Sequence, residues 1–156
     1  MVFKVSRSRK IKHLAAAALF FAGCVSSSVI KGSSLAGEIE KEAAALNKNM
    51  ERVYELKSKR VASSGFYYVI NREGRVVFHP QTILIGADMS NMNFVTAALQ
   101  QGNGCIEYTL DTVDMVDRKV FILFFRLIKN DSILCLSIPK EEVSGSYGEC
   151  VDFEIK

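Results

Sequence analysis

Between Leu35 and Arg60 apolar residues recur every three or four positions, at Ile39, Ala43, Leu46, Met50, Val53 and Leu56. Glu38, Glu40, Lys41, Glu42, Lys48, Glu51 and Arg52 occupy positions between them. That period predicts one long amphipathic helix, ending near 60–64, with an apolar stripe along one side. Acids early in the segment, and Lys57, Lys59 and Arg60 late, complement the helix dipole. The stripe suits packing on a core; the same Leu35–Arg60 stripe would also serve as the seam of a homodimer.

After Gly65 the period changes to that of strands. Phe66–Ile70 and Arg75–His79 flank Asn71-Arg72-Glu73-Gly74, a turn whose glycine accepts positive φ, so the two segments are predicted to form a hairpin. Setting Ile70 opposite Val76 puts Tyr67, Val69, Val77 and His79 on one face. Pro80 lacks a backbone donor and ends the pairing. Residues 81–101 are predicted as a structured connection with a short helix through Phe94, Val95, Ala98 and Leu99.

Cys105–Leu110 alternates as a half-buried strand, and a polar turn over 111–117 follows. The unbroken apolarity of Lys119–Ile128 predicts a strand covered on both faces, with a buried helix left open by periodicity alone. Lys129-Asn130-Asp131 turns the chain into Ser132–Ile138, which Pro139 halts. One helix followed by five strands predicts an α+β fold. Glu149–Ile155 alternates like an extra edge strand, leaving 144–156 as such a strand or as a tail.

Length changes little in this picture: 156 residues suffice for one hydrophobic core. Charge changes more. Lys4, Arg7, Arg9, Lys10 and Lys12 precede the first apolar run, and setting residues 1–23 aside removes five positive charges, taking the net charge from +3 to −2. The remainder carries no basic stripe for a phosphate backbone, which argues against nucleic-acid binding.

The basic start and the run Leu14–Gly23, about ten residues long, have the form of a signal peptide and fall short of a membrane span. Phe21-Ala22-Gly23-Cys24 resembles the bacterial lipobox, with Phe21 where leucine is usual. This departure leaves either a relaxed box or ordinary signal cleavage nearby. The resemblance implies lipidation on Cys24 and a membrane anchored through that lipid. Residues 24–34, rich in serine, are predicted as a flexible tether. Of the remaining cysteines, Cys105 and Cys135 are expected in the core and Cys150 is unassigned; three cannot all pair, so at least one thiol is expected free.

The order of the pieces carries a further resemblance. A long helix, Tyr67-Tyr68-Val-Ile-Asn71 with Gly74-Arg-Val-Val-Phe-His79-Pro80, Ile85-Gly86-Ala-Asp88, Gly102-Asn-Gly104 with Tyr108, and Leu136-Ser-Ile138-Pro139 together resemble a single Cache domain over 35–143. The resemblance implies a PAS-like extracytoplasmic sensor, with a five-stranded antiparallel sheet packed on the long helix. It also implies a pocket between the other face and the segment after the second strand, for small organic acids or similar metabolites. Relatives commonly pass a signal to a cytoplasmic module, and the expectation here is a chain without its own output domain that acts through a membrane protein partner.

For a small carboxylate, Arg126 offers a bidentate fork and Tyr67, His79 and Tyr108 offer single donors beside apolar walls. The segment Phe124-Phe125-Arg126-Leu127-Ile128 also departs from the many relatives that carry a proline after a basic residue near the end of that strand, so that Arg126 is expected to point differently from its counterpart there. Asp88 is expected to satisfy backbone amides after Gly86. With 1–23 set aside His79 is the only histidine, and no metal cluster, phosphate loop or nucleophile motif is present in the sequence, so neither cofactor, metal nor enzymatic activity is expected. Two functions remain open: a binding and sensing lipoprotein, or a ligand-free structural lipoprotein that uses the fold to hold a partner.

Overall fold

The computed structural model describes residues 28–111 and 118–147, together with the backbone of 151–152. The predicted signal peptide, Cys24, residues 112–117 of the predicted turn, and Cys150 lie outside the described residues. Ile30–Lys31 (β1) opens the fold and pairs in parallel with Val143–Ser144 (β8). Part of the predicted tether is therefore structured, because backbone pairing with β8 captures Ile30 and Lys31. Gly32 starts the helix; a Cβ there would lie 2.6 Å from that of Tyr147.

Gly32–Lys48 (α1) is shorter than the predicted rod. Leu35, Ile39, Ala43 and Leu46 fall on one side and are buried in the core. The helix stops at Asn49, whose backbone is extended (φ −145, ψ 106) and whose side chain accepts a hydrogen bond from the Glu51 N–H at 3.0 Å. Asparagine competes with the helical ladder in this way, and the chain continues as a 3-10 helix over Met50–Lys57. The change of winding keeps Met50, Val53 and Leu56 on the core. The apolar stripe is thus occupied by the chain's own sheet.

Lys59 ties the end of this segment back to α1, with Nζ 2.7 Å from Glu38 and 2.6 Å from Glu42. An ion pair one-third exposed contributes at most about 1 kcal/mol, whereas each buried leucine or isoleucine contributes ~1.5–3 kcal/mol. Packing therefore holds the helix down, and the charges select its setting.

Arg60–Val61 (β2) follows, then Gly65–Ile70 (β3), Val76–Phe78 (β4), the helix Asn93–Gln101 (α2), Asn103–Asp111 (β5), Arg118–Ile128 (β6), Ser132–Pro139 (β7) and, after β8, Val151–Asp152 (β9). The sheet order is β2-β3-β7-β6-β5-β9, with β4 also on β3. All pairs are antiparallel except β9 on β5. The five predicted strands form the body of the sheet, and within 144–156, left open between an edge strand and a tail, Val151–Asp152 pairs with β5.

The sheet is buried on both faces. Val69, Leu134, Leu136, Ile122 and Phe124 face α1, while Ile70, Ile133, Cys135, Leu123 and Phe125 join Phe94, Val95 and Ala98 of α2. Period-two alternation thus explains why β6 reads as continuously apolar. Cys135 is free and fully buried, and Cys105 is disulfide-bonded as well as buried. Glu142, absent from the sequence reading, anchors the entry to β3: the N–H groups of Ser63 and Ser64 donate to Oε2 at 3.0 and 2.9 Å, and Ser64 Oγ–H to Oε1 at 2.6 Å.

The hairpin turn has the expected chemistry. Gly74 has φ +79, its N–H donates to Asn71 O, and Arg75 N–H donates to Asn71 Oδ1 at 2.8 Å. A Cβ on Gly74 would lie 2.8 Å from Ser90 Cα, a backbone atom that cannot step aside cheaply. Gly74→Ala should therefore lower stability by about 1–3 kcal/mol, read as a lower midpoint in urea unfolding with an unchanged slope.

Candidate functional site

The site begins with an irregularity in the hairpin. Ile70 faces Val76 as expected, but the next pair is Val69 with Phe78, so Val77 is an extra residue on β4. Such a bulge shifts every later side chain to the opposite face. Phe78 joins Tyr67 and Val69 on the α1 face, and Val77 is 47% exposed. His79 turns to the other face, where its ring lies 5.2 Å from Phe66 and 5.8 Å from Tyr68. The expected common face of Tyr67, Val69, Val77 and His79 is corrected accordingly.

The connection after His79 is built across that second face. The Gly86 N–H donates to Val76 O at 2.7 Å, the Val76 N–H to Ala87 O at 2.9 Å, and the Met89 N–H to Gly74 O at 2.9 Å. These bonds cover the outer edge of β4. They suspend residues 84–92 over the sheet and leave a cavity of about 310 Å³. Its walls include Phe66, Tyr68, Phe94 and Tyr108, with Met89 and Met92 towards the outside and His79 and Asp88 among the lining.

Tyr108 forms part of the floor. Its ring stacks on Phe94 at 4.2 Å, and its hydroxyl shares a hydrogen bond with Ser137 across the sheet. Burial raises its pKa to about 12, although the bond to Ser137 opposes the rise. Tyr68 lies opposite Cys135 in the β3–β7 ladder; burial holds both groups above their ordinary values, the thiol at about 12. The two phenols therefore offer the cavity their rings. Their hydroxyl groups are engaged within the sheet.

His79 Nδ1 accepts a hydrogen bond from the Gln81 N–H at 3.0 Å, which places the proton of the neutral ring on Nε2. Burial lowers the pKa of this histidine. Asp88 Oδ1 accepts from the N–H and hydroxyl of Ser90, at 3.0 and 2.6 Å, and Oδ2 lies 3.4 Å from Arg75. These hydrogen bonds hold the Asp88 carboxyl below its ordinary pKa. Asp88 satisfies a local backbone amide, as its position after Gly86 implied.

Tyr67 and Arg126 lie on the opposite face. Tyr67 is fully buried beside α1, with its hydroxyl 3.5 Å from Glu38 and Lys59 over its ring at 5.6 Å. Arg126 borders an open groove of about 620 Å³ between α1 and the ends of β5 and β6. There it donates to Glu40 at 3.2 Å and to Phe125 O at 3.0 Å. Alternation along β6 sends Phe125 to the cavity face and Arg126 to the helix face, so Arg126 and Tyr108 do not meet in one pocket.

The structure brings together two of the four nominated residues, His79 and Tyr108, and adds Phe66, Tyr68 and Ser137. Ser137 carried a usable signal. A hydroxyl inside Ile-Leu-Cys-Leu-Ser-Ile must find a partner once that strand is buried. Among the described residues, no three His, Cys, Asp or Glu side chains are grouped to hold a metal ion, and no helix is long and apolar enough to cross a membrane.

No protein-family model matches the chain, and no curated protein matches it in sequence. Solved structures do share its fold. The periplasmic sensor domain of a chemotaxis protein matches with a TM-score of 0.51 and 17% identity, over 69% of this chain and 90% of that one. A Cache chemosensory domain that recognises carboxylic acid matches with a TM-score of 0.48 and 18% identity, over 70% and 80% of the two chains. The extracellular domain of mmHK1S-Z2 matches with a TM-score of 0.47 and 24% identity over 60% of this chain, which spans only 38% of that structure. The chain thus shares the α+β fold of that chemotaxis protein's domain.

Two measurements probe the site. Tyr108→Phe leaves the Ser137 hydroxyl, at 0% exposure, without its partner and should cost about 1–3 kcal/mol in urea unfolding. Adding Ser137→Ala should then cost less than it does alone. His79, with its folded pKa below 6.5, contributes stability that is complete above pH 6.5 and is lost as the pH falls towards the folded value. The His79→Gln variant should accordingly show a flatter decline in melting temperature below pH 6.5.

Proposed function

We propose that the chain is a small-molecule-binding sensor module of the cell envelope, without catalytic activity of its own. The observation that carries this reading is the aromatic cavity between the sheet and residues 84–92, lined by His79 and Tyr108. A volume of about 310 Å³ lies at the lower end of the ~300–1,000 Å³ usual for ligand sites. The sheet beneath it is closed by packing on both faces. The covering segment rests on hydrogen bonds to β4 and the hairpin turn, so it is the part able to respond to an occupant.

The shared fold of a periplasmic chemotaxis sensor supports an extracytoplasmic setting. In the proposed arrangement, residues 1–23 direct export, and lipid on Cys24 holds the domain at a membrane. The occupied form is then presented to a membrane protein partner. The structural-lipoprotein reading requires a filled cavity, and the space between Phe66, Phe94 and Met92 favours binding over it.

Thermal-shift screening of the full chain against small carboxylates, amines and neutral ring compounds tests the proposal. A true ligand at one hundred times its Kd should add about 2.7 kcal/mol of stability and raise the melting temperature saturably. Ala87→Phe, which places a ring in the cavity, should abolish that shift while the variant remains folded by circular dichroism. An undiminished shift in Ala87→Phe would move binding elsewhere, and silence across the panel would overturn the sensor reading.

A further inference from the structure

The cavity's polar groups narrow what it can hold, an inference that rests on reading the cavity as the binding site. A ligand must satisfy, and be satisfied by, the groups that line its site, because desolvated polar atoms left unpaired weaken binding. The Tyr108 hydroxyl is committed to Ser137, and Tyr68 is directed to Cys135. Asp88 is half-exposed at the rim, where Oδ1 accepts from Ser90 and Oδ2 lies 3.4 Å from Arg75. Among the described lining side chains the donor left for a ligand is the Nε2–H of His79, whose Nδ1 is held by Gln81.

Among the described residues lining the cavity there is no lysine or arginine. The nearest charge, that of Asp88, is negative and is balanced by Arg75. Arg126, the cation nominated for a carboxylate, is paired with Glu40 on the far side of the sheet. A carboxylate placed against Phe66, Tyr68 and Phe94 would lose its water and gain a single neutral donor. A protonated amine would have to displace Arg75 from Asp88 at the exposed rim and would leave the His79 donor unpaired. An uncharged acceptor, such as an amide or ketone oxygen, meets that donor without leaving a charge buried.

We propose that this cavity takes an uncharged molecule of one or two rings, sandwiched against the Phe94 and Tyr108 side of the floor and accepting one hydrogen bond from His79, in preference to any carboxylate or ammonium ligand. The aromatic walls supply the affinity through apolar contact and stacking, and His79 sets the orientation.

Matched compounds provide the test: benzamide, benzoate and benzylamine, and indole-3-carboxamide, indole-3-carboxylate and tryptamine. Each is titrated into the full chain at neutral pH and followed by protein-observed NMR. The amides should bind with resonance changes centred on Phe94 and Tyr108, about tenfold or more tighter than the charged members of each set. His79→Phe, which keeps a ring and removes the donor, should weaken the amides about fivefold or more while leaving the charged members unchanged. Carboxylates or amines that bind in the cavity as tightly as the amides would overturn this inference and leave the binding reading intact. If no member of either set perturbs the cavity residues, the binding reading and this inference fail together.

Discussion

The structure depends on burying both faces of the β6–β7 pair. Each residue step along these strands sends a side chain to the opposite layer, so Phe124 and Leu136 meet α1 while Phe125 and Cys135 meet the α2 layer. Neither layer can be removed without exposing half of the apolar residues in two adjacent strands. The rest of the fold answers that requirement. α1 and the 3-10 turn cover one face, and the long connection between β4 and β5, with α2, covers the other.

The second covering layer is incomplete, and the incompleteness is local. α2 seals the face with Phe94, Val95 and Ala98, whereas the preceding segment spans the sheet on backbone hydrogen bonds to β4 and the turn. Between the two, the sheet offers ring faces and little side chain to fill the gap. A firmly packed floor beneath a hydrogen-bonded cover gives a cavity whose walls differ in rigidity. The contrast fits the proposed sensing function, in which the binding surface must be preorganised and the cover must be free to report occupancy. Buried polar bonds support the floor: Tyr108 with Ser137, and the Glu142 carboxylate at the entrance to β3.

Much of the fold was legible because it follows from local rules. The 3.6 period of Leu35, Ile39, Ala43 and Leu46 specifies a helix, Asn71–Gly74 specifies a turn, and the apolar Val120–Ile128 stretch specifies a strand with two covered faces. The helix end was misplaced because Asn49 caps its neighbour at the expense of the ladder, a choice between two satisfactory hydrogen-bond patterns. The assignment of Ile30 and Lys31 to a tether failed for a different reason. Their partner strand lies more than a hundred residues away, and composition carries no record of it.

The site divides along the same line. Sequence by itself determined that tyrosines, a histidine and an arginine would stand on or directly beside the strands of a buried sheet, since residue type and alternation are local properties. Only the tertiary structure decided which face each would occupy. One inserted residue, Val77, carries His79 across the sheet to join Tyr68 and Tyr108, and the phase of β6 leaves Arg126 beside Glu40. A strand has two equivalent sides until a bulge and its neighbours' packing distinguish them, and that distinction separates the cavity from the groove behind it.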